Sequence, residues 1–228
     1  MGKISKGEIA VTADIAVFTI IKDDLKVLLI RRKNPPFKGS YALPGGFVEN
    51  DENLEVAAAR ELQEETNVKG IFLKQLSAYG DVGRDPRGRI VTVSFMALID
   101  SDKFKLIATS DAEAAAWFSI YELPNLAFDH KKILDDTLSE LRYEIQTTNI
   151  AFQLLPKKFT LTELQKAYEV ILDTQLDKRN FRKRVDALGI LKPLAESKME
   201  GAHRPAKLYS FKEKKYSTLK EKINVFLK

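Results

Sequence analysis

Ile, Val, Ala and Thr fill most of Ile9–Ile20, and this run predicts a strand. Asp23–Asp24 then makes a turn, and Lys26–Ile30 is a short continuous apolar run, so the two segments predict a hairpin with a buried second strand. Asn34–Ser40, with two prolines and a glycine, reads as loop, and Tyr41–Leu43 as a short strand. From Leu54 the apolar step lengthens to three or four residues, through Ala57, Ala58, Leu62 and Thr66, with no Gly or Pro between Phe47 and Asn67, which predicts an amphipathic helix. Ile71–Ala78, Ile90–Ile99 and Ala114–Ser119 read as further strands, and a mixed sheet with the helix on one face accounts for this order.

From Lys131 the chain turns helical. Ile133, Leu134, Leu138, Leu141 and Ile145 form a stripe running to about Asn149, the expected hinge between domains 1–149 and 150–228. Thr160-Leu-Thr-Glu163 is a capping-box pattern opening a short helix with Leu161, Leu164, Ala167, Tyr168 and Ile171 on its apolar face. Asp173–Leu176 is a turn, Asp177 caps a second helix over Lys178–Leu188, and Gly189 stops it. Two short helices joined by a tight turn have the helix-turn-helix layout, with Phe181, Val185 and Leu188 facing the core. Ile190–Leu194 and Lys207–Phe211, with Gly201 in a basic loop between them, predict a hairpin wing.

Composition adds bounds. The 228 residues exceed one typical domain, and the absence of cysteine excludes disulfides, thiolate catalysis and zinc-finger sites. No run approaches a membrane span and the N-terminus lacks an apolar leader core, so a cytoplasmic protein with no membrane partner is expected. The net charge of +5 is unevenly spread: residues 1–155 hold 19 Lys+Arg and 23 Asp+Glu, net −4, and residues 156–228 hold 18 and 9, net +9. An acidic first domain and a basic second one suggest two tasks, the second on an anionic partner such as nucleic acid.

Candidate chemistry concentrates on the first helix. Glu61, Glu64 and Glu65, at i, i+3 and i+4, project to one side and repel one another, which calls for a cation; an all-oxygen set suits Mg²⁺ or Mn²⁺. A solvated acidic face with Arg60 as a local ion pair is the plainer alternative. Pro44-Gly45-Gly46 lets backbone approach closely, and Glu52 can pair with Arg60 to brace loop on helix. Gly83-Arg-Asp-Pro-Arg-Gly-Arg89 is a loop bearing three guanidiniums, suited to phosphate or carboxylate or simply to a charged hairpin tip. Arg31, Arg32 and Lys33 end a strand either as solvated charges or beside an anionic ligand, and His130 reads as a pocket, core or capping residue.

The segment from Gly46 to Val68 resembles the Nudix box, matching at Gly46, Glu52, Arg60, Glu61, Leu62, Glu64, Glu65 and Val68. Asn67 stands where that family has glycine, and Asn is the side chain that best tolerates a left-handed helix cap. The fold implied is an α/β (α+β) Nudix sandwich with a mixed sheet, followed by a winged helix-turn-helix. Arg84-Asp-Pro-Arg-Gly-Arg89 and Leu126–His130 look like the ADP-ribose pyrophosphatase branch, which implies Arg84, Asp85 and Arg87 near a nucleotide-sugar ligand. The resemblance implies that Glu61, Glu64 and Glu65 with the Gly45 carbonyl bind Mg²⁺ or Mn²⁺, with Arg60, Glu61 and Glu64 as the catalytic set. The reaction implied is attack of water on a pyrophosphate, the general base being either a box glutamate or a carboxylate on a mobile loop.

The whole chain resembles the Nudix-related transcriptional regulators, which bind double-stranded DNA as homodimers and release it on binding ADP-ribose or a related nucleotide sugar or sugar ligand. In the helix-turn-helix layout Lys178, Arg179, Arg182 and Lys183 lie towards the N-terminal half of the second short helix, where a recognition helix meets DNA, and Lys198, His203, Arg204 and Lys207 on the wing are placed to touch phosphates; a basic appendage for dimerisation or solubility is the plainer alternative. The alternative is a Mg²⁺-dependent ADP-ribose pyrophosphatase with a basic tail that does not bind DNA.

Overall fold

Strand β1 (Ala10–Ile21) is buried at every position from Thr12 to Thr19, so both of its faces are covered and its sequence shows a run instead of an alternation. The computed structural model describes residues 8–100, 103–104, 106, 112–199, 205–213 and 215–219. Around β1 stand β2 (Asp24–Arg32), β3 (Tyr41–Ala42), β4 (Gly45–Phe47), β5 (Lys74–Tyr79), β6 (Ile90–Leu98) and β7 (Ala112–Ser119). Their order is β3-β2-β1-β6-β5, with β4 on β1 and β7 on β2. β1 and β6 run parallel while β4, β3, β7 and β5 pair antiparallel with their partners, which makes the expected mixed sheet.

Helix α1 (Leu54–Thr66) lies on one face, where Ala58 and Leu62 pack with Ala13, Ile15, Val17, Phe95 and Ala97. Its first turn is closed by the Asn53 side chain, which accepts from the Val56 amide. Asn67 ends it at φ +63 and donates its amide to the Gln63 carbonyl, the left-handed cap expected of Asn in place of glycine. The expected strand over Ile71–Ala78 starts later, at Lys74, because Ile71 and Leu73 pack against the α1 core outside the ladder. β4 has no periodic signature at all. It is fixed by close approach: a Cβ on Gly45, whose φ is +153, would lie 2.2 Å from the Ala13 carbonyl oxygen.

Helix α2 (His130–Thr147) follows, then a 3-10 turn at Ile150–Gln153. The chain divides into two compact units, the first comprising residues up to Thr19 with Leu25–Leu138, the second Ile20–Asp24 with the chain from Ser139. Asn149, where the sequence suggests a hinge, is inside the second unit and is pinned: its side chain donates to the Lys215 carbonyl and accepts from the Ser217 amide, both at 2.8 Å.

In the second unit, β8 (Phe159–Thr160), α3 (Leu161–Leu172), α4 (Lys178–Leu188), β9 (Leu191–Lys198) and β10 (Ala206–Phe211) form a helix pair and a three-stranded sheet ordered β8-β10-β9. Both halves of the Thr160–Glu163 capping box are present. Asp177 caps α4 and Gly189, at φ +62, ends it. Tyr168 against Phe181 at 5.3 Å joins the two helices, and Phe159 against Phe211 at 5.1 Å joins β8 to β10. The two-residue β8 is not legible as a strand, since two residues cannot display a period.

Candidate functional site

The carboxylates of α1 are organised by Arg60. Its guanidinium donates to Glu52 at 2.5 and 3.0 Å, to Glu61 at 2.9 Å, to Glu64 at 3.3 Å and to the Phe47 carbonyl at 3.0 Å. The Glu52 bond, then that of Glu61, raises its basicity against the opposing effect of burial, so Arg60 is a permanent cation tying β4 and the preceding loop to α1.

Glu65 is 5 % exposed and accepts from the Gly45 amide at 2.8 Å. Burial, with Glu61 and Asp14 adding to it, pushes its carboxyl up to about 8. Glu61 lies beside Gly46, where an added Cβ would meet its carboxylate at 2.2 Å. Glu61 and Glu65 thus line one cleft of about 1000 Å³ with Arg32, Gly45, Gly46, Phe47 and Arg87. Glu64 does not join them: its side chain is 51 % exposed beside Arg60. Among the described residues no three acidic or histidine side chains are already grouped to hold a metal ion. The donor chemistry nonetheless fits a hard divalent cation, because a buried carboxylate destabilised by two like charges is relieved by one.

The arginine loop enters the same cleft in an unforeseen arrangement. Arg84 is nearly buried and forks onto Asp129 at 2.6 and 2.8 Å, with Asp14 at 3.8 Å, so it braces the pocket floor. Burial opposes its charge, but the Asp129 bonds prevail and raise its basicity. Asp85 is buried and accepts from the Arg87 amide and guanidinium; those bonds outweigh burial and hold its carboxyl below the usual range. Arg87 in turn lies over the rings of Phe47 at 4.8 Å and Phe128 at 5.4 Å. Arg89 turns away onto the Gly80 carbonyl.

Sequence reasoning does not assign Asp14, Phe47 or Phe128 to the site and leaves Arg32 and His130 open. All five line a small inner pocket with Arg84 and Arg87. His130 is buried, with its Nδ1 accepting from the Leu43 amide at 2.9 Å, and burial holds its pKa below the ordinary value. A usable signal exists for one of them: Arg32 ends a buried strand just before a Pro-rich loop.

In the second unit, α4 presents Lys178, Arg179, Asn180 and Lys183 to solvent, while Arg182 is half-buried with an Nε that has no hydrogen-bond partner. Phe181 and Val185 are buried beneath. On the wing Lys207 is exposed, but Lys198 pairs with Glu163 at 2.6 Å. His203 and Arg204 lie outside the described residues.

A mixed sheet bearing the R-E-x-x-E-E helix, joined in one chain to a winged helix with an exposed basic second helix, defines the class of Nudix-type regulators. Residues 12–137 match the NUDIX domain and residues 151–211 the NrtR DNA-binding winged helix domain. The chain is 39 % identical over 204 residues, 88 % of its own length and 81 % of the relative's, to the ADPR responsive transcriptional repressor NtrR of Acinetobacter baylyi. It resembles the crystal structure of Shewanella oneidensis NrtR complexed with a 27mer DNA, at TM-score 0.79 and 34 % identity, covering 89 % of this chain and 93 % of that one. It also resembles the NUDIX domain of that protein complexed with ADP ribose, at TM-score 0.55 and 34 % identity, over 60 % and 90 % of the two chains. The chain therefore belongs to the Nudix family, among the members that carry an NrtR winged helix.

Proposed function

We propose that this chain is an ADP-ribose-responsive transcriptional repressor that acts in the cytoplasm as a homodimer, with residues 1–149 sensing the nucleotide sugar and residues 150–228 binding double-stranded DNA. One observation carries the reading: a cleft with guanidiniums, aromatic rings and carboxylates shares a chain with a capped helix exposing Lys178, Arg179, Asn180 and Lys183. The similarity to repressors that respond to ADP-ribose supports the ligand, and the similarity to a DNA complex supports the partner. Lys178, Arg179, Arg182, Lys183 and Lys207 are the proposed DNA contacts, together with Arg204, which lies outside the described residues; Arg182 is half-buried and its Nε has no hydrogen-bond partner in the chain. No described helix is long and apolar enough to cross a membrane.

Glu61, Glu65 and the Gly45 carbonyl would hold Mg²⁺ or Mn²⁺, which Glu64 would join only by leaving its exposed place beside Arg60; when bound, the ion would neutralise phosphate charge and acidify water. Around it Arg60 orients Glu61 and Glu64, Asp85 fixes Arg87, and Arg84 keeps the pocket floor in place. The intact Arg60–Glu61–Glu64–Glu65 set favours a second reading, in which the cleft also hydrolyses ADP-ribose to AMP and ribose 5-phosphate and so ends the signal.

The test selects binding sites from a random duplex pool with the full chain, then measures DNA affinity by anisotropy while ADP-ribose is titrated with and without Mg²⁺. A loss of roughly 5- to 150-fold in DNA affinity on ligand binding, the usual range of allosteric coupling, is expected. Failure to select any duplex, or DNA affinity indifferent to saturating ADP-ribose, rejects the sensor reading. Turnover without DNA binding leaves a pyrophosphatase.

A further inference from the structure

In the second unit, the turn between α3 and α4 is held by side chains of α3. Leu176 falls between α3 and the Asp177 cap of α4, outside both helical ladders, yet both of its peptide groups are taken up. Its amide donates to Oε1 of Glu169 at 3.0 Å, and its carbonyl accepts from Nε2 of Gln165 at 2.9 Å. Gln165 and Glu169 are one helical turn apart and also join each other, Nε2 to Oε1, at 3.0 Å. The Glu169 backbone carbonyl accepts from the amides of Asp173 and, at 3.2 Å, Thr174. The amides of Asp173, Thr174 and Leu176 therefore all end on Glu169. The end of α3 is itself fixed: Arg142 of α2 donates its Nε to the Ile171 carbonyl at 3.1 Å, and Ile171 and Leu172 are buried.

Helix α4 has other means of forming. Asp177 accepts from the Asn180 amide at 2.8 Å, and Phe181 and Val185 are buried beneath the helix. Apolar contact is non-directional, so it holds α4 to the core without fixing its direction, whereas hydrogen bonds to both peptide groups of Leu176 are directional. Direction is what sequence readout needs. A flexible lysine can follow a displaced phosphate, but a side chain reading base edges must be aimed. The exposed basic end of α4 begins at Lys178, directly after the Asp177 cap that follows Leu176. Glu169 has the wrong charge for a phosphate, and its carboxylate is engaged with backbone.

We propose that Glu169, with Gln165, is a positioning residue for α4: by gripping both peptide groups of Leu176 it sets the angle at which the helix meets the duplex, and so determines sequence discrimination without touching DNA. This rests on the repressor reading for DNA as the partner.

Anisotropy titrations of the full chain with its selected duplex and with a scrambled duplex of equal length test it, on wild type, Glu169→Ala, Glu169→Gln and Gln165→Leu. By charge alone, losing a carboxylate strengthens binding to every duplex. The clamp gives the reverse for the selected one: Glu169→Ala and Gln165→Leu should weaken it about 10-fold, the size of one lost base contact, and leave the scrambled duplex bound as tightly as before or more so. Glu169→Gln, which keeps an acceptor for the Leu176 amide, should recover most of the loss. In hydrogen exchange the Leu176 amide should exchange at least about 10-fold faster in Glu169→Ala than in wild type. An unfolded fraction lowers both affinities alike, so equal loss on the two duplexes overturns the proposal. So does an unchanged ratio of the two affinities in Glu169→Ala, a Leu176 amide exchanging there at the wild-type rate, or a Glu169→Gln chain no better than Glu169→Ala. A wild type that distinguishes no duplex overturns the repressor reading together with the proposal, whereas a discriminating wild type and an equally discriminating Glu169→Ala overturn the proposal alone.

Discussion

Gly45 shows how one residue can set a site. Its φ of +153 and the 2.2 Å approach that a Cβ would make to the Ala13 carbonyl leave no room for a side chain, because the obstacle is backbone. Its amide is also the hydrogen-bond partner of Glu65. Gly45→Ala should cost the first unit about 3 kcal/mol or more in urea unfolding, a value reserved for backbone strain and disrupted packing. His130 makes a pH prediction. Its Nδ1 accepts from Leu43, so the ring is neutral, and it faces Asp14, Asp129, Arg84 and Arg32. A folded pKa depressed below the unfolded value of about 6.5 gives stability that is present above that pH and lost as pH falls towards the folded value. Glu65 acts with the opposite sign: raised to about 8, it favours the folded state below the unfolded carboxylate range and loses that contribution as pH rises through 8. The measurement is therefore a difference. Between pH 7.5 and pH 5, His130→Asn, which keeps an acceptor near the Nδ1 position, should lose less stability than wild type, followed by Trp117 fluorescence in urea. Parallel profiles would show that His130 is not held neutral.

At the scale of elements, caps are more informative than propensity. Asn53, Asn67, Thr160, Glu163, Asp177 and Gly189 occupy the helix ends their residue types predict, because cap geometry is local and involves only a few neighbouring residues. β4 and β8, of three and two residues, escape any reading of periodicity because they exist only through a partner strand brought from elsewhere in the chain. Helix α4 shows what charge counting leaves out: of Lys178, Arg179, Arg182 and Lys183 only Arg182 is half-buried, and the uncharged Asn180 is on the exposed face with the other three. Arg179→Ala with Lys183→Ala should weaken duplex binding and reduce the slope of log affinity against log salt by about 0.9 for each phosphate no longer neutralised. A weaker affinity with an unchanged slope would mean that these two side chains read bases, not phosphates.

The molecule as a whole divides chemistry between its units: carboxylates and cleft in the first, exposed basic helix and wing in the second. Glu64→Gln with Glu65→Gln should lower metal-dependent ADP-ribose hydrolysis at least about 100-fold while changing ligand-free DNA affinity less than twofold. Equal loss of both activities would contradict separate modules. Spacing alone identifies the first helix and the capped helix pair, because helical period and capping depend on residues three or four apart. Only the tertiary structure decided which charges share the cleft. Leu43 and His130 meet across 87 positions and Arg84 and Asp129 across 45, through strand order and burial that no local pattern encodes. Thus the sequence determined the elements and the acidic helix face by itself, whereas long-range packing turned Arg84 into a brace, kept Glu64 in solvent and placed Arg32 over the Phe128 ring with no ion pair among the described residues, because desolvation and ion pairing depend on neighbours in space.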